Sequence, residues 1–210
     1  MVESVRLKPI AFCGENPVIE LYDSAAETIT AAASYWRCTY SPYGEGQALL
    51  LYLDAGNSAT LQQPTTAIYA DNAPLARYVT DTFNQHFDGW NSFGFKDTPI
   101  QQARFFTEAA MSQFYRVACH SDASVIGVLW SAIRSSDFRT FPDLNGGGFG
   151  ATGNEHYHVS NAIFLCEQGA ISVNKRQAAG KAQTRILPDG RFSSSAFVAL
   201  SETWVKIEQS

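Results

Sequence analysis

Basic residues are scarce in this chain and nowhere clustered: 15 Lys and Arg against 20 Asp and Glu leave a formal net charge of -5. A protein that tracks a phosphate backbone needs a basic stripe, so nucleic acid is not expected as a partner. Long apolar runs are missing too. Neither Met1–Lys8 nor any later segment has the uninterrupted hydrophobic length of a signal peptide or a membrane helix, which predicts a cytoplasmic protein with no membrane partner. Cysteine is sparse: Cys13, Cys38, Cys119 and Cys166 lie far apart without C-x-x-C spacing. Neither a zinc knuckle nor a redox pair is written there, and reduced, partly buried thiols are expected. Internal repeats and low-complexity tails are also lacking.

What the chain does have is aromatic and β-branched sequence. Its 210 residues include 14 Phe, 9 Tyr and 4 Trp, and 45% are hydrophobic, enough for a single domain over 1–210 with a full core. Short apolar runs bounded by Gly, Pro, Asn and Asp predict strands near Val18–Tyr22, Ala32–Tyr40, Gln47–Asp54, Thr65–Ala70, Ala103–Met111, Gln113–Cys119, Val125–Arg134, His156–Cys166, Ala170–Lys175, Thr184–Leu187 and Ser195–Ile207. Turn chemistry at 120–123, 167–169 and 188–191 favours antiparallel pairing. One helix is predicted over Asn72–Phe87. Asp71 or Asn72 can cap it, Pro74 suits its first turn, and Leu75, Tyr78, Val79, Thr82, Phe83 and His86 form its apolar stripe. Residues 24–33 permit either a second helix or a strand.

The expected fold is therefore mainly β. An antiparallel meander closes into a barrel or strongly curved sheet with one packed α-helix near 72–87, similar to the calycins in general architecture only.

Two regions invite functional readings. Glycines at 146–148, 150 and 153 run into Glu155-His156-Tyr157-His158, which places two histidines on one face of a strand. Such a pair can join a metal site if His120, Glu155, Glu167 or another carboxylate supplies further ligands. His-x-His with a later Glu resembles the cupin signature in outline. Glu167 lies too far along for it and the second cupin motif is absent, so no cupin function follows. Gly148 to Gly153 also satisfies G-x-G-x-x-G, but no strand precedes it and no long helix follows, which removes the anion-binding helix terminus of a dinucleotide site.

The second region is a set of charges within apolar alternation. Ala196, Val198, Leu200, Glu202 and Trp204 read as one strand face, as do Phe106, Glu108 and Ala110, and Phe114, Arg116 and Ala118. Were these faces interior, Glu108 or Glu202 would pair with Arg37, Arg104 or Arg116, and a desolvated carboxyl could serve proton transfer. Solvent-facing ion pairs are the ordinary alternative.

These residues lead to a small-molecule-binding barrel with an aromatic-lined cavity for an apolar or aromatic molecule. Trp90, Phe149, His156, Tyr157 and Trp204 are candidate ligand contacts. The same cavity could run acid/base isomerisation, cyclisation or hydrolysis through Glu202, Glu108, Arg116 and His158. A metal enzyme centred on His156 and His158 and a non-catalytic interaction module, with a homodimer as one form, are the competing readings. No cofactor is expected, with a divalent metal left open.

Overall fold

The computed structural model describes residues 10–84, 89–134, 139–141, 149–150 and 156–207, with side chains for 10–84, 89–134 and 159–206. In chain order the strands are β1 (Ile10–Glu15), β2 (Val18–Tyr22), β3 (Ile29–Tyr40), β4 (Gly46–Leu53) and β5 (Thr66–Ala70), with helix α1 (Ala55–Leu61) before β5 and α2 (Ala73–Thr82) after it. They continue with β6 (Ile100–Ala110), β7 (Phe114–Ser121), β8 (Val125–Ile133), β9 (Arg139–Phe141), β10 (Phe149–Gly150) and β11 (His156–Val173). Four short strands, β12 (Arg176–Gln177), β13 (Lys181–Ala182), β14 (Thr184–Ile186) and β15 (Phe192–Ser194), precede the long β16 (Ala196–Ile207).

Nine strands close a barrel in the order β11-β8-β7-β6-β5-β4-β3-β1-β16, with β16 returning to β11. The expected barrel with a packed helix is present. β2 extends β1 past Asn16 and Pro17 and pairs with β3 on one side and β16 on the other. Pairing is antiparallel around the ring except between β5 and β6, which run parallel because α2 and two 3-10 turns, Trp90–Phe93 and Phe95–Asp97, carry the chain back between them.

Burial patterns divide the wall into two kinds. In β3 every residue from Thr30 to Trp36 is buried: Ala31, Ala33 and Tyr35 fill the barrel, while Ala32 and Trp36 belong to a second core outside it. That outer core lies under α2. Asn72 caps the helix by accepting from the Leu75 N–H at 3.1 Å, Leu75, Ala76 and Val79 face inward, and Phe83 stacks on Trp36 with ring centroids 6.0 Å apart. β7 and β8 instead alternate. Tyr115, Val117 and Cys119, and Ile126, Val128 and Trp130, point into the barrel, and the residues between them face outward.

Several expectations need correction. Residues 167–169 do not turn: β11 runs through them, and Gly169 leaves the space that the Ile19 side chain fills, its Cδ1 2.0 Å from where a Cβ would stand. The option of a helix over 24–33 is lost to β3, which begins at Ile29. α1 was not anticipated. Of the predicted helix over 72–87, residues 73–82 are α-helical, and His86 lies outside the described residues.

The barrel's two ends differ. One is plugged by α1 and residues 178–180, where Asn57 Nδ2 donates to the Thr30 carbonyl at 2.9 Å and Asn57 Oδ1 accepts from the Ala179 N–H at 2.7 Å. Thr30 Oγ1 donates to the Ala179 carbonyl at 2.8 Å, and Leu61 and Ala178 complete the apolar fill. Among the described residues, nothing closes the other end, between the β3–β4 and β6–β7 connections.

Candidate functional site at the barrel mouth

A hollow of about 480 Å³ occupies the open end, lined by Glu15, Arg37, Gln47, Phe105, Thr107, Ala109, Met111, Tyr115 and Leu200. Its chemistry follows from strand alternation. On β6, Phe105, Thr107 and Ala109 share the inward face, and β7 contributes Tyr115, which stands opposite Ala109. β1, β3 and β4 deliver Glu15, Arg37 and Gln47 where they meet the rim.

The polar groups form two linked sets. Tyr115 Oη donates to Glu15 Oε2 at 2.6 Å, and Arg37 Nη1 stands 3.7 Å from Glu15 Oε1. Tyr35 Oη donates to Gln47 Oε1 and lies 3.0 Å from Thr107 Oγ1, which is then the donor to the tyrosine oxygen. Gln47 is itself held by Asp71, which accepts from its backbone N–H at 2.6 Å and from Nε2 at 3.3 Å. Burial pushes the Tyr35 hydroxyl up to about 12. It raises Tyr115 further still, helped by the hydrogen bond to Glu15 and the charge on that carboxylate, so both phenols remain donors at neutral pH.

Arg37 is the adaptable member of this set. Its side chain is 50% exposed and its contact with Glu15 is long, so the guanidinium keeps donors free for an incoming anion. Phe105, Met111 and Leu200 supply the apolar part of the wall and pack down onto the inner core. Tyr35 continues the aromatic surface below them, its ring 5.9 Å from Phe105 and 6.5 Å from Tyr115.

Of the residues expected from sequence, Arg37 is at the mouth, whereas Glu108, Arg116, Glu202, Trp90 and Trp204 do not line it. Glu108 and Arg116 do pair, as opposite members of β6 and β7, but on the outside of the barrel: Arg116 Nε donates to Glu108 Oε2 at 2.9 Å and both side chains are more than half exposed. The reading of residues 196–204 as one face fails at Ser201, whose φ of +51° makes a bulge. Val198 and Leu200 face the interior, whereas Glu202 and Trp204 turn outward into the core beneath α2. There Glu202 is buried at 3% exposure and accepts from Trp204 Nε1 at 2.6 Å and from Asn161 Nδ2 at 3.1 Å. Loss of hydration pushes its carboxyl up to about 7 against those two donors, and none of the arginines considered from sequence is its partner.

Trp90 is not on an open loop. It is sealed in the outer core, stacked on Phe95 at 6.0 Å, with Nε1 donating to Glu20 Oε1 at 3.0 Å. His156, Tyr157 and His158 belong to β11 and Phe149 to β10, where Phe149 pairs with Tyr157, but their side chains lie outside the described residues. Among the described residues no three His, Cys, Asp or Glu side chains converge as metal ligands. No helix there is long and apolar enough to cross a membrane. The four thiols are free, and burial pushes Cys119 and Cys166 up to about 12.

Sequence reasoning missed Glu15, Gln47, Thr107 and Tyr115. The signal was present for two of them: Tyr115-x-Val117-x-Cys119 is the more apolar alternation of its strand, so the inward face of β7 and, by pairing, of β6 could have been assigned to it. Comparison with known proteins adds no name to this arrangement: no family model, no curated protein and no solved structure matches the chain.

Proposed function

We propose that the chain is a binding barrel that takes a small amphipathic molecule at its mouth, with an apolar or aromatic body against Phe105, Met111 and Leu200 and an anionic head on Arg37. The observation that carries this reading is the asymmetry of the ends. At the plugged end the polar groups of Asn57, Thr30 and Ala179 satisfy one another, whereas at the mouth Arg37, Glu15, Gln47, Thr107 and Tyr115 converge on an open hollow with apolar walls. A concave, largely apolar site with a few placed polar groups is the usual form of a small-molecule site, and its volume is in the usual range.

An aromatic sulfonate such as 1-anilinonaphthalene-8-sulfonate matches both halves of that description. Fluorescence titration should give saturable binding with one site per chain, weakened about tenfold in Arg37→Met, a loss of about 1.4 kcal/mol. Leu200→Glu, which places a like charge beside the ligand, should weaken it at least as much. Titrations of both variants that superimpose on the wild type would remove the mouth as the binding site.

A further inference from the structure

The outer wall of the barrel is clothed on one side and bare on the other. Under α2 and the 3-10 turns, the outward residues of β3, β4 and β5 are buried; on β6, β7, β8 and the distal half of β11, the outward residues face water. The bare wall carries a defined relief. One cross-strand row reads Phe106, Ala118, Gly127, Ser172, and the next reads Glu108, Arg116, Leu129, Ala170.

The first row sets a projecting ring beside three small residues. Phe106 is 59% exposed, and the hollow bordered by Ala118, Gly127 and Ala170 has a volume of about 620 Å³. A Cβ at Gly127 would meet only the Ser172 hydroxyl, at 2.7 Å, so the glycine leaves the floor of the hollow bare. Leu129 adds a further exposed apolar edge. The second row sets an acid beside a base. Arg116 engages Glu108 through Nε and Nη2, both on Oε2, so Nη1 and Oε1 lie outside that contact.

We propose that this wall is the face on which a second copy of the chain docks. A two-fold interface requires one patch to be complementary to itself, so that a feature and its complement must both occur on it. Phe106 and the adjoining hollow are such a pair in shape, and Glu108 with Arg116 is such a pair in charge. Related by a two-fold axis, each Phe106 enters the hollow of the other copy, and each Arg116 meets the other copy's Glu108 across the contact. The inward faces of the same strands are not involved, so this assembly is independent of binding at the mouth.

Sedimentation velocity of the full chain from about 1 to about 100 µM, where mass action governs a reversible dimer, tests the assignment. The expected result is a mass that doubles with concentration, stays single in Phe106→Glu and in Arg116→Glu, and doubles again in the charge-swapped Glu108→Arg/Arg116→Glu chain. Circular dichroism of each variant separates lost assembly from lost folding. The rescue distinguishes contact between copies from a repulsive surface charge. A monomer across the whole range overturns the inference, as does a dimer whose mass is indifferent to both single substitutions. A monomer that instead binds the anilinonaphthalene probe in a Phe106-dependent way also overturns it, by giving the hollow to a small ligand.

Discussion

The mouth and the outer core each hold a glutamate whose carboxylate receives a 2.6 Å hydrogen bond from an aromatic side chain, yet the two are chemically unlike. Glu15 has Tyr115 on one oxygen, Arg37 near the other and a side chain 24% exposed; Glu202 has Trp204 and Asn161, no arginine among the described residues, and 3% exposure. Burial alone would rank Glu202 as the more suggestive residue. Access reverses the order, because a hollow adjoins Glu15 at the mouth, whereas the outer core around Glu202 is filled by α2's packing. A carboxylate with a raised pKa marks a site only where a hollow adjoins it.

Removing the charge at Glu202 should have the largest effect. A carboxyl that titrates at about 7 when folded and near 4.5 when unfolded binds more protons in the folded state between those values. Stability therefore falls as pH rises from about 4.5 to about 7, and the full penalty, about 3 kcal/mol, persists above that range. Glu202→Gln should recover most of it at pH 8 and flatten the profile. The new amide can keep the Trp204 bond, and Asn161, turned end for end, can use the Oδ1 that now lacks a hydrogen-bond partner to accept from it. Urea unfolding of both proteins across this pH range is the measurement. A wild-type profile that does not fall would place Glu202 in water.

What was legible in the sequence follows the same division. Alternation exposed β7 and β8 because one of their faces meets solvent, and the α2 stripe was legible because its other side does. β3 and β4 read as strands from their composition, but their two buried faces could not be told apart, since Ala31 through Trp36 carry no polar alternation. Glu15 escaped because β1 was not anticipated. The plug escaped because α1 offers only Leu61 to the inner core and is anchored by Asn57, a polar signal with no periodicity.

A smaller contrast comes from deleting the two aromatic donors. Tyr115→Phe leaves Glu15 in reach of water and should cost about 1 kcal/mol at pH 8, while Trp204→Phe leaves a charged Glu202 with one donor in a sealed space and should cost about 3 kcal/mol. The second cost should shrink at pH 5, where the Glu202 carboxyl is protonated. Equal losses at both pH values would show that packing, rather than the hydrogen bond, sets the difference.

The least perturbing test addresses why the two glutamates face different surroundings at all. Glu202 pairs in register with Gly14, next to Glu15, so the strands bring the two residues close while their side chains diverge. The divergence on β16 depends on Ser201, which at φ +51° occupies the left-handed region and lets Leu200 face inward and Glu202 outward. Glycine adopts that conformation freely, so Ser201→Gly should change stability by no more than about 0.5 kcal/mol. Valine resists it, and Ser201→Val should cost about 1–2 kcal/mol. Because the side chain is exposed, neither change confounds the result with core packing. If valine is tolerated, β16 runs straight through this position, and Glu202 shares the face of Leu200 at the mouth.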